Sequence, residues 1–426
     1  MKFYQLSREQ RLDALKASGD LDTQSYELML KNQPIPAEIA ANMVENQITQ
    51  YALPEGVVQD VLINGTCYQI PLVTEEPSVI AAANNSAKLV RQWGGFQVTA
   101  KRGGLIGQIV FDHVSDIETK AQLLKTKADE IQAIAASAYP SILKRGGGLR
   151  QQKVTIVGQD FLKLELLVDT KAAMGANMVN SICEAVAQAA SQWLQQPPLL
   201  AILSNHALED LTTVTLKLPV TALTRGHLSG QTVAQRIVAA TEFAQLDINR
   251  AVTHNKGIMN GAIGVVQGYG NDTRAISAGI HSYAAQSGQY QPLSQWRLVD
   301  TDLIGQLTLP LPIGAVGGSI GIVPLAKANQ QLGQATDPLI MQAQIATIGL
   351  ASNLAALRAL VTEGIQKGHM HLQYKALAIQ AGATGSEIDW LQNALSQQPI
   401  VNLAIARQLL VEKSKTEKSA THDHRN

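Results

Sequence analysis

KVTIVGQDFLKLELLVDT, residues 153–170, is the stretch that decides how this chain folds. Its β-branched and apolar residues alternate with polar ones, the two-residue period of strands. LIGQIVFDHV, from Leu105, is a second strand-like run, and IETKAQLLKTKADEIQAIAASAY between the two reads as one helix. AAMGANMVNSICEAVAQAASQWL reads as a further helix, and LAILSN and TVTLKLPV follow as strands. Strands and helices alternating at this size predict a compact α/β or α+β unit of about a hundred residues. It would be inserted into a mostly helical remainder. No GxGxxG opens a helix after a strand, and there is no Walker loop. GGFQVTAKRGG and KRGGGLR are glycine-rich and read as turns or as nucleotide-facing loops.

Outward from this unit the signals are mostly helical. LSREQRLDAL opens on Ser7 with Gln10 three residues on, the spacing of a capping box, and PAEIAANMVENQITQYAL carries apolar residues at helical spacing. VQDVLINGTCYQIPLV holds two alternating runs that meet at Asn64-Gly65, a hairpin signal because both residues tolerate positive φ. TEEPSVIAAANNSAKLVRQWGG places Pro77 at a helix start and Gly94-Gly95 at its end. TVAQRIVAATEFAQ, IMQAQIATIGLASNLAALRALVTEGIQ and most of the last 60 residues read as helices. The charged tail KSKTEKSATHDHRN, residues 413–426, is expected to be unstructured.

The chain has 426 residues, enough for two or three domains. Its 34 basic and 34 acidic residues balance, and only 4% are aromatic, which argues against nucleic acid as a partner. Cys67 and Cys183 sit in apolar segments and are expected to be buried thiols, since two cysteines make neither a disulfide framework nor a zinc site. The N-terminus lacks the apolar core of a signal peptide. The long apolar run from Gly305 is broken by prolines and glycines and is a poor membrane span. A soluble cytoplasmic protein with no membrane partner is the expectation.

Four stretches hold ionisable residues in unusual settings. In EEPSV, Glu76 is either a carboxylate capping the following helix or a proton donor tuned by burial and by Glu75. In NRAVTHNKGIMNG, Lys256 is a solvated lysine or a cation facing a developing oxyanion, with Gly257 and Gly261 leaving room around it. In GNDTRA, Asp272 is a helix cap or a partner for Lys256. In QKGHMHLQYKALA, His369 and His371 are two residues apart and would not share a helix face, so they make a poor metal pair.

Taken together these stretches resemble the class II, bacterial form of 3-hydroxy-3-methylglutaryl-CoA (HMG-CoA) reductase. The resemblance runs in the family's order through ENQI, LPEGV, INGTCYQIPL, EEPSV, AMGANMVN, ILSN, VTHNKGIMNG, GND.RA, LPIGAVGG and NLAALRALVTEGIQKGHM, nearly the whole chain. It implies an α+β fold: a large, mostly helical acyl-CoA-binding domain (1–104 and 212–366), a smaller non-Rossmann cofactor domain inserted at 105–211, and a C-terminal helical flap and tail (367–426). It implies a four-electron reduction of HMG-CoA to mevalonate and CoA by a homodimer or an oligomer of dimers. By motif matching, Glu76, Lys256, Asp272 and His369 fall at the catalytic positions. Lys256 would face the carbonyl oxygen, Glu76 would be the acid, Asp272 would tie the two together, and His369 would protonate the departing thiolate. Ser78, Asn205, Arg250 and Asn260 fall at positions that hold the acyl group, where Arg250 suits a carboxylate. Met174, Gly175 and Asn177 fall in the nicotinamide-cofactor motif, which would place the pyrophosphate at a helix N-terminus.

The chain departs from the family's pattern at two places. Ala172 stands where the family has an acid before AMGAN, and Thr49 stands where ENQI is followed by glycine. These departures leave room for an alternative, a weak or inactive homologue that binds acyl-CoA or nucleotide. The family's NADH-using members carry an acid near the position of Tyr139. Here there is no acid between Ile131 and Arg150, while Lys144, Arg145 and Arg150 are basic. NADPH is therefore the expected cofactor, with NADH possible, because a 2′-phosphate prefers basic neighbours.

Overall fold

The computed structural model describes residues 2–32, 35–364 and 374–423, with the backbone alone from 416 onward. Two antiparallel-dominated sheets organise it. The insert is built on β4 (Leu105–Phe111), β5 (Gly148–Val157), β6 (Phe161–Asp169) and β7 (Leu200–Leu203), in the order β5-β6-β4-β7. The stretch 153–170 is a hairpin: β6 alternates strictly, with Leu162, Leu164, Leu166 and Val168 buried under helices. Those helices are α5 (Ile117–Thr126), α6 (Ala128–Ala138), the short α7 (Pro140–Leu143) and α8 (Ala176–Leu194). The expected single helix 117–139 breaks at Lys127, whose backbone leaves helical geometry (ψ 14°). α8 lies close on the sheet because Gly107 has no side chain there; a Cβ would sit 2.1 Å from Cys183 Sγ. Burial pushes the Cys183 thiol up to about 12, so it is an inert packing residue. Cys67, by contrast, is exposed on an edge strand.

The remainder is less helical than its periodicity implies, for it holds a six-stranded sheet in the order β2-β1-β3-β8-β10-β9. Its strands are β1 (Glu55–Ile63), β2 (Thr66–Val73), β3 (Phe96–Ala100), β8 (Leu211–Pro219), β9 (Ser294–Val299) and β10 (Asp302–Pro310). The hairpin turn falls at Asn64 and Gly65, both at positive φ (49° and 84°). TVTLKLPV is β8, paired with β3 and β10. It therefore belongs to this sheet and not to the insert with which its sequence neighbours group it.

Around the large sheet pack α4 (Val79–Arg91), α9 (Gly230–Leu246), α10 (Ile248–Gly268), α11 (Thr273–Ala284), α12 (Pro324–Leu332) and α13 (Pro338–Val361); α2 (Thr23–Lys31) packs on α12 and α1 (Arg8–Ala17) on α2, and α3 (Ala37–Met43) follows in the chain. Ser7 and Gln10 form the capping box of α1. α13 is long and apolar enough to cross a bilayer by length and composition, but two thirds (67%) of its most apolar window is buried within the protein. It runs through the core as the partner of α10.

α14 (374–381), α15 (Ser386–Ser396) and α16 (Leu403–Asp423) follow, gathered on a separate apolar cluster that includes Tyr374, Leu391, Leu395 and Ala406. α16 carries the helix well into the charged tail, which was expected to be unstructured.

Candidate active site

α10 presents Lys256. Its opposite face is pinned from both sides. Asn255 donates to the Gln291 carbonyl at 2.9 Å and accepts from Leu293 N at 2.9 Å. His254 Nε2 lies 2.6 Å from Ser294 Oγ and 3.2 Å from Asn353 Nδ2. Burial, helped by Arg250, pushes His254 down to about 4, so it is neutral at ordinary pH. The glycines do something other than make room for the lysine. A Cβ at Gly261 would stand 2.2 Å from Ser352 Oγ and 2.8 Å from the Ile348 carbonyl of α13, and one at Gly264 would stand 2.8 Å from the Val73 carbonyl. They let α10 lie against α13 and β2, while Gly257 meets only Ala356 at an ordinary 3.8 Å.

With its buried faces fixed, α10 turns Lys256 outward to the loop between β2 and α4. There Lys256 Nζ donates to Glu76 Oε2 at 2.7 Å. The side chains are 59% and 43% exposed. Glu76 therefore does not cap α4. The N-cap residue is Ser78, held at φ 79° and making no cap bond with its side chain. A serine in left-handed backbone costs of order 1 kcal/mol or more and persists only where its surroundings impose it. Ser78 also lines a cleft of about 210 Å³ with Asn85, Arg225 and Arg358. Asn260 lies one turn beyond Lys256 on the same helix face.

The other candidates for the acyl site lie elsewhere in the same chain. Asp272 caps α11, accepting from Arg274 N at 2.9 Å and Ala275 N at 3.0 Å. From Lys256 to the end of α10 is a rise of about 18 Å, and Asp272 lies beyond that end. Asn205 follows β7, its carbonyl packed on Gly279 of α11. Arg250, half-buried and lowered by desolvation, is not on the Lys256 face of α10. The structure thus forms two groups: Glu76, Ser78, Lys256 and Asn260 in one place, Asp272 and Asn205 along α11. His369 lies outside the described residues.

The cofactor motif sits at the start of α8. Gly175 is its N-cap at φ 95°, and a Cβ there would stand 2.2 Å from Thr170 Cγ2. Only glycine fits this turn, which leaves the first amides of α8 open to an anion. Met174 and Asn177 flank it, with Asn177 exposed. Lys144 and Arg145 are exposed in the turn before β5, and the neighbouring Gly146 lies beside the Lys171 side chain. Tyr139 separates α6 from α7 and packs partly on the insert's core. Sequence reading missed Arg150 and Lys171 as a pair, both bound to Asp169 Oδ2, at 2.8 and 2.9 Å. Burial alone would raise the Asp169 carboxyl; these two cations outweigh it and hold it below its ordinary value. Ala172, exposed in place of an acid, still receives Ala315 N at its carbonyl, at 2.8 Å. Thr49 is exposed in the extended segment after α3.

A family model of hydroxymethylglutaryl-coenzyme A reductase matches residues 7–374. The chain is 38% identical to 3-hydroxy-3-methylglutaryl-coenzyme A reductase of Archaeoglobus fulgidus, covering 96% of this chain and 93% of that one. It is 35% identical to a probable enzyme of the same name from Borreliella burgdorferi, over 78% of this chain and 76% of the other. Among solved structures, the Streptococcus pneumoniae reductase superposes with a TM-score of 0.82 at 39% identity, covering 96% of this chain and 98% of that one. A structure of the class II Streptococcus pneumoniae enzyme bound to NADPH in open conformations gives 0.81 at 39% identity, over 96% and 100% of the two chains. With the motif order, the non-Rossmann insert and the Lys256–Glu76 pair all in place, the chain belongs to the hydroxymethylglutaryl-CoA reductase family, in its class II form.

Proposed function

We propose that this chain reduces HMG-CoA to mevalonate and CoA, with NADPH as the reductant. The single observation that carries the reading is the 2.7 Å contact between Lys256 and Glu76. Two NADPH molecules, bound in turn, would each supply one hydride, the first to the thioester and the second to the aldehyde left when CoA departs. Each addition leaves negative charge on a carbonyl oxygen. Lys256, fixed on a helix whose other faces are locked, brings a preorganised cation to that oxygen. The Lys256 ammonium can give a proton to the new alkoxide, and Glu76, hydrogen-bonded to it, would pass on the replacement proton that it takes up from solvent. His369 is proposed to protonate the thiolate of CoA. Arg250 is proposed to hold the acyl carboxylate, and Ser78, Asn205 and Asn260 the rest of the acyl group.

The α8 N-terminus fits the cofactor. Gly175 packs its turn against Thr170 and, as the N-cap, brings no capping side chain, so the first amides of α8 would be available to an anion. Lys144 and Arg145, with Arg150 and Lys171 near them, would hold the 2′-phosphate. Met174, Gly175 and Asn177 would line the pyrophosphate, and Tyr139 would flank the ribose.

We further propose a homodimer whose sites are shared. A cation stabilises an oxyanion best where water is excluded, yet Lys256 and Glu76 are open in the single chain. Asp272 lies beyond the far end of α10 from Lys256. A two-fold partner bringing α11 to the Lys256 face would cover the pair and supply Asp272. The domain limits are proposed at 104/105, 211/212 and 366/367. Two free cysteines accord with a cytoplasmic setting.

The test is HMG-CoA-dependent oxidation of NADPH, followed by subunit mixing. Lys256→Ala and Asp272→Ala homodimers should each be inactive, and remixed subunits should regain about a quarter of wild-type activity, from the one intact site of each heterodimer. No recovery on proven subunit exchange would place both residues in one chain's site.

A further inference from the structure

Arg102 stands where the chain leaves the large sheet for the insert, between β3 and β4. Its guanidinium is largely buried, and each of its terminal nitrogens is committed. Nη1 donates to the Ile313 carbonyl at 2.7 Å; Nη2 donates to the Lys171 carbonyl at 2.7 Å and to the Ala173 carbonyl at 3.1 Å. Lys171 and Ala173 form the loop just before the Gly175 cap of α8, while Ile313 belongs to the large-sheet segment after β10. Asp210, buried at the chain's return crossing, lies 3.8 Å from the same guanidinium. Its Oδ1 accepts from Gly103 N at 2.9 Å and Gly104 N at 3.0 Å. The two loops touch directly as well: Ala315 N donates to the Ala172 carbonyl, Ala173 and Val316 form a parallel bridge, and a Cβ at Gly314 would stand 2.4 Å from Met174 N.

We propose that Arg102 is a positioning residue of the reaction: it clasps the cofactor loop of the insert to the 311–315 segment of the large sheet and so sets where the cofactor lies relative to the acyl site. The reason lies in the donor geometry. A guanidinium is a planar fork that can bond several acceptors at fixed angles, and here it bonds carbonyls from two separate segments at once. An ammonium on a longer, flexible stem keeps the charge beside Asp210 but cannot reproduce that fork. Two of the carbonyls it holds, those of Lys171 and Ala173, lie five and three positions before Ala176, the first residue of α8. Releasing them frees the part of the chain that meets the cofactor. The acyl-binding face of α10 has no bond to Arg102.

The inference rests on the cofactor reading of the α8 N-terminus, and the experiment separates the two. Arg102→Lys is the variant of choice, because Arg102→Ala would leave Asp210 as a lone buried charge. Arg102→Met combined with Asp210→Asn, which leaves no charge unpaired, is the second variant. Both are purified as the full chain. NADPH and HMG-CoA affinities are measured by fluorescence titration, and amide hydrogen exchange is followed over residues 171–177. The expected result is about a tenfold rise in the dissociation constant for NADPH, the scale at which supporting contacts act on a site. HMG-CoA affinity should stay within about twofold, because the hydrogen bonds Arg102 makes reach only Lys171, Ala173 and Ile313 and none of Asn205, Arg250 or Asn260. The loop amides should exchange at least about tenfold faster while the interior of α8 does not. Unchanged loop exchange in both variants, or equal weakening of the two ligands in step with lost thermal stability, overturns the proposal. If the wild type itself fails to bind NADPH, the cofactor reading falls, and loop exchange alone then decides the clasp.

Discussion

Lys256→Ala should separate catalysis from stability more cleanly than any other change in this chain. Lys256 makes an ion pair with Glu76 at 2.7 Å, but the two side chains are 59% and 43% exposed. An ion pair that wet contributes about 0–1 kcal/mol. Alanine is also the better helix former, by a few tenths of a kcal/mol. No buried group loses a partner, because His254 and Asn255, which anchor α10, keep theirs. The folded protein should therefore lose less than about 1 kcal/mol, within a few degrees of melting temperature for a chain this size. Turnover is a different matter. Removing one preorganised donor from a developing oxyanion costs about 3–4 kcal/mol, a fall in kcat of about 10²–10³. The assay is NADPH consumption at saturating HMG-CoA, beside urea unfolding of the same preparations. A variant that keeps more than about a tenth of its turnover, under 1.4 kcal/mol of barrier, would refute the oxyanion role. A stability loss of several kcal/mol would refute the claim that the lysine stands outside the packed core.

Gly261→Val should destabilise by about 1–3 kcal/mol through overpacking, because its Cβ meets Ser352 and the Ile348 carbonyl. Gly257→Ala, with only an ordinary contact, should be neutral or stabilising by about 0.5–1 kcal/mol; paired urea midpoints check both. His254, lowered from 6.5 to about 4 by burial, binds its proton more readily in the unfolded chain. The stability advantage of wild type over His254→Gln should therefore be complete above pH 6.5. It should shrink as pH falls toward 4, by up to about 3 kcal/mol; an advantage constant from pH 7 to 5 would contradict this. Neutralising Lys144 and Arg145 together should cut kcat/KM for NADPH by about tenfold at low salt and leave NADH nearly unchanged, since exposed charges contribute about 1 kcal/mol or less each. Equal losses on both cofactors would show that these residues do not read the 2′-phosphate.

Local patterns alone determined a good part of this protein. The alternation through 161–169, the Asn64-Gly65 turn and the Ser7 box depend on neighbours two to four residues apart, and each stands in the structure as read. The family's motifs were legible for a related reason: LPEGV, AMGAN, NKGIMNG and LPIGAVGG are short strings whose order survives without knowing what they touch. What sequence could not decide was every contact made across long separations. TVTLKLPV looks like one more strand of the insert, yet β8 pairs with β3 and β10 because its register partners lie in the large sheet. Glu76 could have been a cap or a proton donor. Only the fold, bringing positions 180 residues apart to 2.7 Å, chose Lys256 as its partner. Gly261 looked like space for the lysine and instead lets α10 pack on α13, while Gly257 makes only an ordinary contact. Arg102 gave no signal at all, sitting in a glycine-rich loop like many others. Its importance lies in carbonyls 69, 71 and 211 residues away. Periodicity and turn chemistry are properties of the chain's nearest neighbours, so they can be read along it. Which surfaces meet is settled by burial summed over the whole molecule, and that sum exists only once the chain has closed on itself.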